Sequence, residues 1–469
     1  MKSRTKNGGW TFAIVSIALF MVVLDNLVVT NALPSIKRDL GATIQQLEWT
    51  VNAYTLSYAV LLLTGAALGD RFGRRRVFSF GLALFTLASA AAALAPSTSA
   101  LIAARAIQGI GAAVVTPLTL TLLSEAVPAE KRGLALGAWS GISGLAVALG
   151  PVVGGAVVTG ISWHWIFWLN VPIGAVAAPL AFARLNESYG ESRGLDLRGV
   201  ALASAGLLGV VYGIVHASSA GWTDLTVLGP IALGAVVLAG FVAWELRAPA
   251  PMLPMSFFRS RAFSATNGVS IAMYFGTFGS VFLLAQFFQV AQGYSALQSG
   301  LRILPWTVMP IFIAPLAGAL SDRVGGRPLM AAGLALQGAG LAWLAATTSP
   351  TVAYIHLVPG FVMAGTGMAL VFAPAANTVL AAVRPKQAGQ ASGATNAMRE
   401  LGGVLGVSVL ATVFSGSGGY LSPQNYVDGL IPAITVGSIV LFAGALVALL
   451  VPSARSEAGD RRPEAVVTV

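Results

Sequence analysis

Asp70-Arg71-Phe72-Gly73-Arg74-Arg75-Arg76 breaks an otherwise apolar stretch and returns, shortened, as Asp322-Arg323-Val324-Gly325-Gly326 about 250 positions later. An acid, a glycine and a group of arginines between two long apolar runs read as a tight charged connection between membrane-crossing helices. One such match means little in a chain with 54 glycines, but three more follow in the same order. Gly133-Leu134-Ala135-Leu136-Gly137 returns as Gly389-Gln390-Ala391-Ser392-Gly393, Gly109 and Gly111 match Gly365 and Gly367, and Gly150 matches Gly406. Four ordered matches near one offset imply two homologous halves, an organisation typical of secondary transporters with a site at the repeat interface.

The composition agrees. Of 469 residues, 56% are apolar and 9% charged, against about 25% charged in soluble domains; mean hydropathy is +0.80. Apolar runs recur near the roughly 20 residues that cross a bilayer. They predict spans at 12–33, 48–69, 77–96, 101–124, 134–159, 165–184, 197–217, 226–246, 264–290, 301–320, 329–348, 353–380, 391–415 and 431–452. The first run is too long for a signal-peptide core and reads as a spanning helix. Six spans per half leave 197–246 as an inserted pair. The expected fold is therefore an all-α polytopic membrane protein of fourteen transmembrane helices. Residues 1–190 form the N-terminal six-helix bundle, 191–255 carry two additional helices and 256–452 form the C-terminal bundle. Residues 453–469 are expected to be a disordered cytoplasmic tail.

The net charge of +10 points to topology and not to nucleic acid. With the N-terminus inside, Lys37 and Arg38 lie outside and Arg105, Arg302 and Arg399 fall within spans; every other one of the 27 Lys and Arg residues lies on the inner side. That bias supports a multi-pass protein of the cell (inner) membrane with both termini cytoplasmic. The absence of cysteine excludes disulfides and Cys-ligated metals. His164, His216 and His356 are scattered, so no metal or cofactor is expected. None of the lysines follows a glycine, so there is no phosphate-binding P-loop, and an ion gradient or passive movement is left as the energy source. No paired catalytic groups appear, so the chain does not read as an enzyme.

Few charges enter the apolar runs. Asp25 lies inside the first, where an acid costs roughly 2.5–3.5 kcal/mol on insertion scales and is a functional hypothesis by default. It is either a protonation switch or a permanent ion-pair partner. Arg105, about one turn into the fourth span, lies at nearly the depth of Asp25. Desolvation favours a neutral carboxyl and a neighbouring cation opposes this, so moving the arginine between states would load and release a proton. The second-half counterpart of Arg105 is Phe361; the charge is not required by the fold. Arg399 and Glu400 form the other deep charged cluster; they serve function, or one of them faces the inner vestibule and is hydrated. Glu48, at the outer mouth of the second span, reads as interfacial. Gly137/Gly141 and Gly150/Gly154 strip one helix face for close approach, and Pro151 bends that helix. Tyr274, Phe275, Phe278, Phe282, Phe287 and Phe288, interleaved with Gln286 and Gln289, either line an apolar cavity or face lipid, the commoner use. Asn31, Gln108, Tyr274, Phe278, Gln286 and Arg399 are the candidates for a substrate cavity.

Taken together, these motifs resemble those of the major facilitator superfamily, in its fourteen-helix drug:proton antiporter branch (the EmrB/QacA type), over the whole chain. Asp70 to Arg76 resembles the superfamily loop between helices 2 and 3. Its usual leading glycine is Ala66 here, with Gly65 one place early, while Gly318 to Asp322 keeps the full spacing. Leu101-Ile102-Ala103-Ala104-Arg105-Ala106-Ile107-Gln108-Gly109-Ile110-Gly111 resembles the fourth-helix motif, and Gly150-Pro151-Val152-Val153-Gly154-Gly155 the fifth-helix antiporter motif. Leu24 to Pro34 resembles the first-helix motif of the branch, with Leu27 in place of the usual Thr, and Trp163 to Gly174 is also typical of it.

The resemblance implies a major facilitator fold, two six-helix bundles in pseudo-twofold relation plus two extra central helices. It implies Asp25 as coupling acid, Arg105 as its partner, and Glu400 as a weaker alternative. The loop residues Gly65, Asp70, Arg71, Gly73, Arg74, Asp322, Arg323 and Gly325 would form the cytoplasmic gate, with Asp70 latched to the helix opening near Gly389 and Asp322 to that near Gly133. The expected activity is proton-driven export of small hydrophobic or amphipathic compounds such as drugs. Its partners are a small-molecule substrate, protons and the lipid bilayer, with no nucleic acid, and the working unit is expected to be a monomer. A dedicated exporter of one metabolite, lipid or peptide would carry the same motifs. A proton symporter is disfavoured by Gly150-Pro151, and a transport-inactive sensor or scaffold by intact Asp25 and Arg105.

Overall fold

The computed structural model describes residues 8–128, 132–190, 194–383 and 387–452. Among them the chain forms fourteen long helices: α1 Gly8–Leu40, α2 Ile44–Phe72, α3 Arg74–Ala93, α4 Thr98–Ala126, α5 Arg132–Gly160, α6 Trp165–Arg184, α7 Leu197–Ala220, α8 Leu225–Glu245, α9 Arg261–Val290, α10 Ala296–Val324, α11 Gly326–Thr347, α12 Tyr354–Ala381, α13 Ala388–Ser417 and α14 Pro423–Ala448. Thirteen are long and apolar enough to cross a membrane; in α5 the described apolar stretch is the shorter Leu149–Gly160. The tail 453–469 lies outside the described residues.

The repeat read from the sequence is visible in the local chemistry of the second helix of each half. α2 opens on a capping box in which the Thr43 hydroxyl accepts from the Gln46 N–H and the Gln46 side chain accepts from the Thr43 N–H. α10 opens on the same device with Ser295 and Gln298. Each reciprocal cap satisfies two backbone groups that would otherwise be orphaned at the helix start. Each helix then ends on a left-handed glycine, Gly73 at φ +102° and Gly325 at φ +81°, a conformation that any Cβ would penalise. The two Asp-Arg-x-Gly motifs are therefore helix ends joined by one-residue turns, and not loops.

Most helices run a few residues beyond the spans read from the sequence, and two differ in more than that. α1 does not stop at Leu33 but continues through Pro34 to Leu40 and breaks at Gly41, φ +64°. Proline is tolerated there because neighbouring groups in a membrane bundle re-satisfy the freed backbone. Lys37 and Arg38 consequently sit in the last helical turn, where the helix dipole favours cations. The sixth crossing is broken once, between Trp165–Trp168 and Asn170–Arg184.

The halves meet along three seams: α5 on α10, α2 on α13, and α1 on α9. Glycines set the closest of these. A Cβ on Gly155 would run into the Ala296 carbonyl, and one on Gly300 into that of Pro151. α7 and α8 pack on one another through Gly206, Gly209, Gly213 and Gly234, and α7 leans on α2 and α13.

Candidate functional site

Asp25 is 1% exposed and Arg105 0%, and α1 and α4 bring them into a buried ion pair, Nη1 to Oδ2 2.6 Å. The carboxylate has further partners. Its Oδ1 accepts from Gln108 Nε2 at 2.9 Å and from Asn170 Nδ2 at 2.7 Å. Both amides also donate to the Ser89 hydroxyl, at 2.5 Å and 3.0 Å. Arg105 donates to Gln108 Oε1 at 2.7 Å and to the Thr50 carbonyl at 3.2 Å, and its guanidinium lies 4.2 Å from the Tyr54 ring centre. Five helices, α1, α2, α3, α4 and α6, thus contribute to one charge. A buried ion pair survives desolvation only with such additional hydrogen bonds. The matching place in the second half holds Phe361, buried against Phe288 and Trp306 at 6.0 and 6.3 Å.

Tyr54 also lines a cavity of about 1170 Å³ between the halves, so a single side chain separates the ion pair from it. Its walls are largely apolar and aromatic, including Tyr58, Trp139, Tyr274, Phe278, Trp306 and Phe372. The cavity reaches Asp70, Arg74 and Gln390, at the face that carries the arginines of the α2–α3 turn. Towards the opposite face the seams are closed. Gln289 Nε2 of α9 donates to the Asn31 carbonyl of α1 at 3.1 Å, and Asn52 Nδ2 of α2 to the Ser408 hydroxyl of α13 at 2.8 Å; within the N-terminal half, Asn31 Nδ2 ties α1 to the Pro151 carbonyl of α5 at 2.5 Å. The Leu297 N–H donates to the Thr159 hydroxyl at 3.0 Å.

Several residues proposed for the cavity lie elsewhere. Tyr274, Phe278 and Arg399 do line it, and so does Glu400, which was expected only as a weaker coupling acid. Gln108 belongs to the ion-pair network. Asn31 is a seam residue, fully buried beneath Pro151. Gln286 is buried, accepting from the Tyr420 hydroxyl at 2.5 Å and donating to the Phe282 carbonyl at 2.8 Å. The common reason is pairing: Asn31 and Gln108 found partners in neighbouring helices and Gln286 in the connection that carries Tyr420, which a single helical pattern does not reveal. Phe282, Phe287 and Phe288 are core, not lipid-facing.

At the arginine-rich face, Asp70 pairs with Arg74 (2.7 Å), and Arg74 also bridges to Glu125. Arg71 is exposed beside Phe72, and Arg323 is exposed as well. The acid seated at a helix start here is Glu187: its Oε1 accepts the Arg75 N–H at 3.0 Å, and Oε2 lies 3.4 Å and 3.5 Å from Arg75 and Arg76. Gly65 allows α2 to touch the backbone of α4 at Ala113. The side chain of Asp322 and the surroundings of Gly133 and Gly389 lie outside the described residues. Gly150 and Gly154 admit Leu27 and Val28 of α1, and Gly155 admits α10.

Asn170, which bonds Asp25, Thr50, which bonds Arg105, and Ser89, which bonds Gln108 and Asn170, carry no charge and offered no sequence signal as members of this network, although Asn170 stood inside a motif of the sixth span. Glu48 is a second correction: it is 0% exposed, with neither carboxylate oxygen hydrogen-bonded. Burial, with the Glu48 carboxylate nearby, pushes the Tyr420 phenol above its ordinary value, and Lys37 Nζ lies 3.4 Å from the centre of that ring.

Known proteins are similar to this chain in sequence and in fold. The family model of the Major Facilitator Superfamily matches residues 15–407. The chain is 34% identical to the tetracenomycin C resistance and export protein of Streptomyces glaucescens, across 90% of this chain and 79% of that one. It is also 34% identical to the puromycin resistance protein pur8 of Streptomyces alboniger, across 98% and 94%. Its fold matches a crystal structure of a POT family transporter with a thioalcohol-conjugated peptide, TM-score 0.70 at 13% identity, covering 94% of this chain and 95% of that one. With a family model spanning most of its length and fourteen helices in two related halves, this chain belongs to the Major Facilitator Superfamily.

Proposed function

We propose that the protein is a proton-coupled antiporter that exports small hydrophobic or amphipathic compounds from the cytoplasm by alternating access. The observation that carries this reading is the Asp25–Arg105 ion pair, sealed from water and one side chain away from a large apolar cavity open towards one face. A substrate entering from that face presses Tyr54 towards Arg105 and seats the guanidinium on Asp25, so that the carboxyl gives up its proton to that side. Rocking of the halves about the seams then opens the opposite side, where Asp25 takes up a proton, lets go of Arg105 and the substrate leaves. The relatives named for tetracenomycin C export and for puromycin resistance support export as the direction. Because each name carries one compound, a narrow exporter of a single metabolite is the second reading.

In this reading the arginine-rich face is cytoplasmic, both termini lie there, and the monomer is the working unit. The bundles are bounded at residues 1–190 and 256–452, with α7 and α8 between them. Reporter fusions at Ser219 and Glu191 should therefore report opposite sides of the membrane; the same side for both rules out fourteen crossings. Transport is tested in proteoliposomes, where an imposed proton gradient should drive uphill movement of an amphipathic dye. Asp70→Asn removes the partner of Arg74 at the mouth. It should slow transport about tenfold, by loss of a charge-assisted contact, while equilibrium binding stays within about threefold. Loss of binding at an unchanged turnover would place Asp70 in the substrate site instead.

A further inference from the structure

Arg399 on α13 is buried (8% exposed) yet lines the cavity. Its Nε and Nη2 have no hydrogen-bond partner, and Nη1 has only a 3.5 Å contact to Asn396 Oδ1. Among the described residues no carboxylate oxygen lies within 4.0 Å of it. Arg105 differs: its Nε and Nη1 hold a backbone carbonyl, a carboxylate and an amide, and only its Nη2 is unpartnered. Glu400 also lines the cavity, but it follows Arg399 directly and so points about 100° away around the helix; one of its own oxygens is unpartnered. A buried guanidinium without an anion is costly, and its planar fork fits a carboxylate or similar oxyanion through two parallel hydrogen bonds.

Aromatic rings flank this cation. Phe372 lies 5.2 Å from the Arg399 guanidinium carbon. Tyr274 stands 6.1 Å from Phe372 and stacks on Phe278 at 5.3 Å. All three rings line the cavity. Flat rings seated on this shelf would place a substituent at the free edge of Arg399, and about 1170 Å³ admits several fused rings.

We propose that Arg399 is an anion-binding subsite, and that the preferred cargo is a polycyclic aromatic compound bearing a carboxylate, phenolate or sulfonate. The proposal rests on the export reading and narrows its substrate class. Arg399 is a specificity residue: neutral aromatics still enter the cavity, but without the charged contact.

The test is calorimetric binding to the purified full-length protein of three probes that differ only in charge: anthracenecarboxylate, anthracenemethanol and anthracenemethylamine. The acid should bind about 10- to 100-fold more tightly than the alcohol, as a charge-assisted contact is worth about 1.5–3 kcal/mol. Arg399→Gln should abolish that preference while leaving the affinity for the alcohol unchanged, which also shows that the variant is folded. Arg399→Lys should keep part of the preference, since an ammonium retains the charge and loses the fork. Should the Gln variant not fold, the Lys variant decides, with a preference reduced several-fold. Equal affinity for acid and alcohol, tighter binding of the amine, an unaltered preference in the decisive variant, or no binding of any probe overturns the proposal. Gradient-driven transport of the alcohol without preference for the acid leaves the export reading standing and removes only the anion subsite.

Discussion

Asp25→Asn is expected to abolish gradient-driven efflux, with the variant still inserted and folded. The driving force explains the size of the effect. One charge moved through 100 mV gains about 2.3 kcal/mol, about fortyfold accumulation at 1.4 kcal/mol per tenfold. Without a group that changes protonation, that gain is lost, and substrate should only equilibrate across the membrane. Folding should survive for a structural reason. Removing one member of a buried pair costs about 3–5 kcal/mol when the other is left bare, but Arg105 would keep Gln108, the Thr50 carbonyl and the Tyr54 face. The new amide oxygen can still accept. Arg105→Lys should fail too, because an ammonium cannot reach Asp25, Gln108 and Thr50 with one planar fork. Uphill efflux in Asp25→Asn would move the coupling site elsewhere, with Glu400 the first acid to examine.

The second large effect concerns the closed seam. Gly155 meets the Ala296 carbonyl and the Leu297 backbone, and Gly300 meets Pro151, so α5 and α10 touch backbone to backbone. Gly155→Leu inserts a side chain where none fits. Overpacking typically costs about 1–3 kcal/mol, and here the cost falls only on the state in which this seam is shut. A bias of that size shifts a two-state equilibrium by about 5- to 150-fold, towards opening at the opposite face. The chain has no cysteine, so Thr30→Cys, on the cavity wall, is a clean reporter. A membrane-impermeant thiol reagent applied from the opposite face should label it at least about fivefold faster in the Gly155→Leu background, and turnover should fall by at least about tenfold. An unchanged labelling rate would mean that this seam is not the gate.

What was legible in the sequence was whatever depends on long runs or on rare residue types. Fourteen apolar segments, the repeat and the intramembrane acid Asp25 with its arginine follow from hydropathy and from the cost of burying charge. Both halves even share the Thr43 and Ser295 caps, which the glycine matches alone did not expose. What escaped is three-dimensional pairing of neutral polar groups. Asn31, Gln108 and Gln286 look alike in sequence, as amides within apolar helices; one ties a seam, one holds the ion pair, and one is capped by Tyr420. Asn170 reaches Asp25 only because α6 packs beside α1, and Ser89 joins the network through Gln108 and Asn170 because α3 packs on α4 and α6. The end of α1 was misread because proline stops helices in water more reliably than in a bundle. Glu48 was placed at the interface by its position near a helix start, whereas helix packing around it excludes water entirely.

The central claim is that substrate and proton compete through the Asp25–Arg105 pair. It is tested most directly by adding a transported amphipathic dye to the purified protein in weakly buffered detergent solution and recording the pH. The account predicts substrate-dependent proton release from the wild-type protein and none from Asp25→Asn at matched occupancy. Equal release from both proteins, or no release from the wild type at saturating dye across the pH range in which it transports, would contradict it.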